Sequence, residues 1–216
     1  MSNIISSISL AANHFIMYAV ICTIPFLLMQ VMKGKINLVR LGINYVFLFY
    51  VLCVIGLVFF PLPTMAGDMP QSVYGLQVIP FHFICDIVRE TPFVWNQPQT
   101  YLAAVTDWTV LQVVFNVVMT VPFGMYLRYN FRFDGKKTAL ASLLFSSMIE
   151  IGQLTGLFFM VPFTYRLCDV DDLIMNTLGG VMGYVLVCFV EKRMKAIPAI
   201  EKFDIVRTEK KVLANI

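Results

Sequence analysis

Glu150-Ile-Gly-Gln153 and, after a short connection holding Arg166, Asp169-Val-Asp171-Asp172-Leu-Ile-Met-Asn176-Thr-Leu-Gly179-Gly180-Val-Met-Gly183-Tyr184 form the stretch on which the reading of the chain turns. A glutamate stands inside one apolar run, and four ionisable groups crowd the mouth of the next. The chain has 216 residues, of which 59% are hydrophobic and 13% charged, where a soluble domain carries about 25% charged residues. In so apolar a chain these groups are expected to meet one another.

Working outward, the composition predicts an all-α integral membrane protein. Five segments reach the ~20 residues that a hydrocarbon core demands of a helix: 11–32, 41–60, 109–128, 138–160 and 173–191. They make one membrane domain over 1–191, followed by a mixed-charge tail over 192–216. No Lys or Arg precedes residue 33, so the first segment reads as a retained helix and not as a cleaved leader. Lys33, Lys35 and Arg40 follow the first span, Arg128, Arg132, Lys136 and Lys137 the third, and Lys192, Arg193 and Lys195 the fifth. The positive-inside rule then puts the N-terminus outside and the C-terminus in the cytoplasm. The net charge of +3 is a topology signal, and nothing in it points to nucleic acid.

The first span carries Pro25 and the second is almost uniform Val, Leu, Ile and Phe, which fits packing or anchoring. Between spans 2 and 3 runs a long outer connection, rich in proline and in Tyr74, Trp95, Tyr101 and Trp108, the aromatics that settle at a membrane interface. Within it, residues 78–90 begin apolar and end charged, as a short amphipathic segment on the outer leaflet does. His82 there reads as an interfacial side chain. Cys22, Cys53 and Cys188 fall within spans, whereas Cys85 and Cys168 both fall on the outer side, where a disulfide is chemically open to them.

The three later spans carry polar stripes. Gln112, Asn116 and Thr120 share a face of the third. Ser142, Ser146, Glu150 and Gln153 share a face of the fourth, with Gly152 and Gly156 on a packing face beside it. On the fifth, Asp172, Asn176, Gly179 and Gly183 fall on one line, polar at its outer half and open to close helix approach at its inner half. At about 1.5 Å per residue, Gln153 and Asn116 lie roughly 10 Å below the outer ends of their helices and Asn176 roughly 6 Å. These depths predict an outward-opening polar cleft with Glu150 at its floor and Arg166, Asp169 and Asp172 at its rim. Because an ionised carboxylate facing lipid costs several kcal/mol, Glu150 is expected to pair with Arg166, the nearest cation.

Glu150-x-x-Gln153 followed by Tyr165-Arg-Leu-Cys-Asp-Val-Asp-Asp-Leu-Ile-Met-Asn-Thr-Leu-Gly-Gly-x-x-Gly-Tyr184 resembles the signature of the VanZ-like family of bacterial membrane proteins. Val78-Ile-Pro-Phe81 and Asn116-Val-Val-Met-Thr-Val-Pro-Phe-Gly124 are similar to its two weaker motifs, so the likeness covers about 76–190. Cys168 stands where the family has a bulky apolar residue, which speaks against a catalytic thiol. The resemblance implies the plasma membrane of a bacterium, of Gram-positive type, and a link to resistance to teicoplanin-type glycopeptide antibiotics. It supplies no mechanism.

Three functions fit these residues. The first is a binding protein whose cleft, formed by Asn116, Glu150, Gln153, Arg166, Asp169, Asp172 and Asn176, engages a lipid-linked cell-wall precursor or a lipoglycopeptide, with Arg166 meeting a phosphate or carboxylate. The second is an intramembrane hydrolase or transferase with Glu150 as general base and a divalent cation on Asp169, Asp171 and Asp172. It lacks a Ser-His pair, zinc-type ligand spacing and a phosphate-cradling loop, and no cofactor is required by the sequence. The third is a small proton-coupled transporter working through Glu150, for which inverted halves are missing.

Overall fold

A computed structural model of the chain describes residues 2–32, 35–60, 75–160, 167–193 and 205–206. Arg166, with the expected Glu150–Arg166 pair, lies outside the described residues, as do 61–74 of the long connection and most of the tail. The described elements are helices, joined by short loops, and four two-residue strands. Four helices are long and apolar enough to cross a membrane: Ala12–Met32, Leu38–Phe59, Trp108–Phe131 and Val170–Arg193.

Packing divides the chain into two units, Met1–Pro61 with Val190–Ile216, and Leu62–Phe189. In the first, α1 (Ser2–Met32) and α2 (Leu38–Phe59) pack side by side. Phe15 meets Phe49 and Phe26 meets Tyr45, both edge to face, and Thr23 shares a 2.5 Å hydrogen bond with Tyr45. The turn between them is fixed by polar side chains. Gln30 Oε1 accepts the Asn37 amide at 2.6 Å, and Asn37 Oδ1 caps α2 by accepting the Arg40 amide at 2.8 Å. The tail contributes a strand, β4 (Ile205–Val206), which pairs antiparallel with β1 (Lys35–Ile36).

The second unit is organised by α5 (Trp108–Phe131), α6 (Gly135–Leu154) and α8 (Val170–Arg193). Ahead of them stand β2 (Leu76–Gln77), α3 (His82–Glu90), a 3₁₀ turn (Pro98–Thr100) and α4 (Tyr101–Val105). Asp107 caps α5, accepting the Thr109 amide at 2.9 Å, and Asp134 caps α6, accepting the Lys137 amide at 2.8 Å. In both, an Asp stands at the residue before the helix, where its side chain can accept an open amide.

The glycines hold the bundle together. A Cβ on Gly179 would lie 2.1 Å from the Val117 carbonyl oxygen, one on Gly183 2.1 Å from that of Val121, and one on Gly124 1.8 Å from that of Gly180. Backbones of α5 and α8 therefore touch along one line, as small residues at helix interfaces permit. Gly180 turns the other way, toward Ser142 of α6, where a Cβ would come 2.0 Å from Oγ. Phe123 stacks on Phe145 at 4.5 Å to join α5 to α6, and the Arg128 guanidinium lies over the Tyr184 ring at 5.7 Å.

The fourth expected span is corrected in one respect. The sequence predicts a helix over 138–160, but α6 ends at Leu154 with Thr155 as its cap. Gly156 then has φ +64 and opens α7 (Gly156–Phe159), a turn in which Leu157 and Phe158 are also left-handed. Gly156 is thus the left-handed residue just past a helix end, the position that favours glycine, and it has no place on a packing face of α6. Gly152 does stay on α6 and is buried. Ser142, Ser146, Glu150 and Gln153 lower the hydropathy of α6 and leave it outside the four long apolar helices.

Candidate functional site

The polar residues of α5, α6 and α8 converge where α8 begins. Asp169, in β3 (Cys168–Asp169), sits immediately before α8, and its Oδ1 accepts the Asp171 amide at 2.8 Å. That bond satisfies one of the amides a helix start leaves open. Asp171 turns to α3: its two oxygens accept the amides of Phe81 at 2.5 Å and Phe83 at 3.0 Å, so a buried carboxylate caps the start of α3. Strand β2 pairs in parallel with β3, Leu76 opposite Cys168 and Gln77 opposite Asp169. The Val78–Phe81 segment and the aspartate-rich start of α8, far apart in sequence, are therefore one structural element.

From Asp172 onward the polar side chains of α5, α6 and α8 bond to one another. The Asn116 side-chain amide donates to Asp172 Oδ1, joining α5 to α8. The Asn176 amide donates to Ser146 Oγ at 2.9 Å, and Ser146 Oγ reaches the Asp172 carbonyl at 3.4 Å, joining α6 to α8. Thr120 Oγ1 donates to the Asn176 carbonyl at 2.8 Å, closing the triangle. Thr120, Ser142 and Ser146 are buried, as is Asn176, which is 2% exposed. Among the described residues, Asn176 Oδ1 and Ser142 Oγ are buried without a hydrogen-bond partner.

Glu150, 3% exposed, accepts the Asp169 amide at 3.0 Å and the Cys168 thiol. Burial, and then the Glu150 carboxylate beside it, push the Cys168 thiol up to about 11. It is a hydrogen-bond donor at neutral pH and a poor nucleophile. Cys85 and Cys168 are both free thiols. Burial, with Asp171 and Asp86 nearby, raises the Asp169 carboxyl above its ordinary value against the pull of the Asp171 amide; His82, itself 3.0 Å from Asp86, draws it down.

The structure thus brings Asn116, Glu150, Asp169, Asp172 and Asn176 into one cluster and buries Gln153 on the same helix. The depths differ from those expected. With α6 ending at Leu154, Gln153 stands at the helix end and Glu150 about 6 Å inside it. Glu150 bonds to the Asp169 amide just before α8, and Ser146, Asn176 and Thr120 lie deeper along the three helices. Ser146 and Thr120 were visible only as members of polar stripes. Asp171 as a cap for α3 had no sequence signal, because its partners are backbone amides about 90 residues away. Asp169 and Asp171 each spend carboxylate oxygens on backbone amides, and among the described residues no group of three or more His, Cys, Asp or Glu side chains is arranged to hold a metal ion. Gln112 is exposed.

The VanZ/LLP1 family model matches residues 47–191, and the chain belongs to that family. With four helices long and apolar enough to span a bilayer, it is a membrane protein. No curated protein and no solved structure matches it.

Proposed function

We propose that this VanZ/LLP1 family member binds a lipid-linked cell-envelope component, or a lipid-anchored glycopeptide antibiotic, at the outer leaflet of a Gram-positive plasma membrane and lowers susceptibility to the drug. In this reading five helices span the bilayer, with the N-terminus outside and the C-terminus in the cytoplasm, as the basic connections require. The span added to the four long apolar helices is α6, whose 20 residues give about 30 Å of helix, the thickness of a hydrocarbon core. Its polar face is turned into the protein, where it costs nothing against lipid.

One observation carries the reading: the polar cluster on Asn116, Ser146, Asp172 and Asn176 lies at the end of the bundle to which α3 is tied through Asp171. Along α3 and its approach, Val78, Ile79, Phe81, Ile84 and Val88 are all exposed, and so are Trp95 and Trp108. An amphipathic helix with an apolar outer face and flanking tryptophans suits the headgroup boundary. A lipid-linked molecule resting there has its polar head level with the cluster. Asn116 and Asn176 offer it neutral hydrogen bonds, and Arg166 offers a bidentate contact to phosphate or carboxylate.

Isolated polar residues on membrane helices can be glue worth about 0.6 kcal/mol each, so the test must read function. A strain dependent on the protein for teicoplanin tolerance should lose that tolerance with Asn116→Ala, Asp172→Asn or Arg166→Ala at unchanged membrane abundance. Tolerance retained in all three variants would refute the binding role.

A further inference from the structure

The seam between α6 and α8 contains more oxygen than its own hydrogen bonds use. Ser142, Ser146 and Glu150 follow at every fourth residue of α6, all buried. Asn176 enters that stripe from α8, its Nδ2 on Ser146 Oγ and its Oδ1 without a partner among the described residues. One turn inward, Ser142 Oγ stands against Gly180 and is likewise unpartnered among them. Unmet oxygens in a buried place cost free energy until something donates to them or binds them.

Among the described residues, the Glu150 carboxylate beside them has hydrogen-bond donors but no cation. Glu150 takes two hydrogen bonds, from the Asp169 amide and the Cys168 thiol, which fill two of the roughly four lone-pair positions of a carboxylate. Among the described residues no Lys, Arg or His forms an ion pair with it. Buried charges are paired or bind ions. Helical side chains lean toward the N-terminus, which carries the Glu150 carboxylate toward Ser146.

We infer that Glu150, Ser146 Oγ and Asn176 Oδ1, with the Asp172 carbonyl beside Ser146, form a binding site for a dehydrated monovalent cation, Na⁺ in the first instance. The oxygen-only donor set is that of a hard cation. Asp171 already accepts the amides of α3, Asp169 the Asp171 amide and Asp172 the Asn116 amide, which leaves Glu150 as the carboxylate of the set, and a monovalent ion matches its single charge. Ser142, one turn deeper, is the next oxygen on the inward side.

The site uses residues of the proposed ligand cleft but is tested with Na⁺ alone, so its failure leaves the outer-leaflet reading untouched. Purified full-length protein in lipid nanodiscs is heated in NaCl and in choline chloride at equal ionic strength. The unfolding midpoint should rise saturably with Na⁺ over choline. Asn176→Ala and Ser146→Ala should each raise the half-saturating concentration at least tenfold, and Glu150→Gln should abolish the effect. In case the variants fold poorly, ²³Na line broadening on the wild-type protein, reversed by Li⁺, gives a second reading. No difference between Na⁺ and choline together with no reversible broadening overturns the inference. So does a Na⁺ effect that survives Glu150→Gln, or stabilisation of the wild type by acid in place of Na⁺, which would assign a proton to Glu150.

Discussion

Gly179→Ala tests the contact on which the site is built. The added Cβ would lie 2.1 Å from the Val117 carbonyl oxygen and 2.2 Å from Thr120 Oγ1. A relaxed carbon–oxygen approach is about 3.3 Å, so α5 and α8 must part by about 1.2 Å. The Thr120 to Asn176 hydrogen bond, now 2.8 Å, cannot survive that displacement. Overpacking of this kind costs about 1–3 kcal/mol and the lost bond about 0.5–1.5 kcal/mol. The smaller sum is already about a tenfold loss in the folding equilibrium. Reversible unfolding of the protein in mixed micelles measures it. Gly42→Ala on α2 is the control, since nothing lies within 4 Å of its Cβ and alanine favours a helix by about 0.5–1 kcal/mol. If Gly179→Ala were as mild as Gly42→Ala, the close backbone contact of α5 with α8 would be refuted.

Three other outcomes follow from the same geometry. Asp171→Ala removes both acceptors that cap α3, and hydrogen exchange of the amides over 81–90 should quicken at least tenfold, corresponding to about 1.4 kcal/mol; unchanged exchange there would contradict the cap. Alkylation of Cys168, followed by peptide mass spectrometry, should be slow at neutral pH and climb with pH toward about 11, and Glu150→Gln should quicken it at pH 8 by removing a neighbouring charge. Asp169→Asn keeps the oxygen that accepts the Asp171 amide and removes a carboxylate whose folded pKa is raised above its unfolded value of 3.8. Such a carboxyl group favours the fold while protonated and loses that contribution as pH rises through its folded pKa. The variant should therefore match or exceed the wild type in stability at pH 7 and lack the wild type's gain on acidification just above 3.8; a clear loss at pH 7 would mean that the charge itself is required.

The parts of the molecule that were legible in the sequence are those that repeat every 3.6 residues. Asp172, Asn176, Gly179 and Gly183 fall on one line by spacing, and the structure turns that line to α5, with Asn176 reaching α6 as well. The end of α6 was obscured because the apolar run continues to Met160 while the backbone stops at Thr155. Glycine after Thr155 was the available signal, and hydropathy outweighed it. That misplacement set Glu150 deeper below the helix end than the structure does. Two-residue strands such as β2 and β3 have no periodicity to detect, and the cap of α3 by Asp171 rests on backbone amides that no side-chain pattern reports.

The central claim is that the cluster on Asn116, Asp172 and Asn176 binds the polar head of a lipid-anchored molecule. Its most direct test is the affinity of nanodisc-embedded protein for a lipoglycopeptide and for the same glycopeptide without its acyl chain. The acylated drug should bind, the deacylated one at least tenfold more weakly, and Asn116→Ala and Asp172→Asn should each cause a comparable loss. Equal binding of both drugs by the wild type and both variants would contradict it.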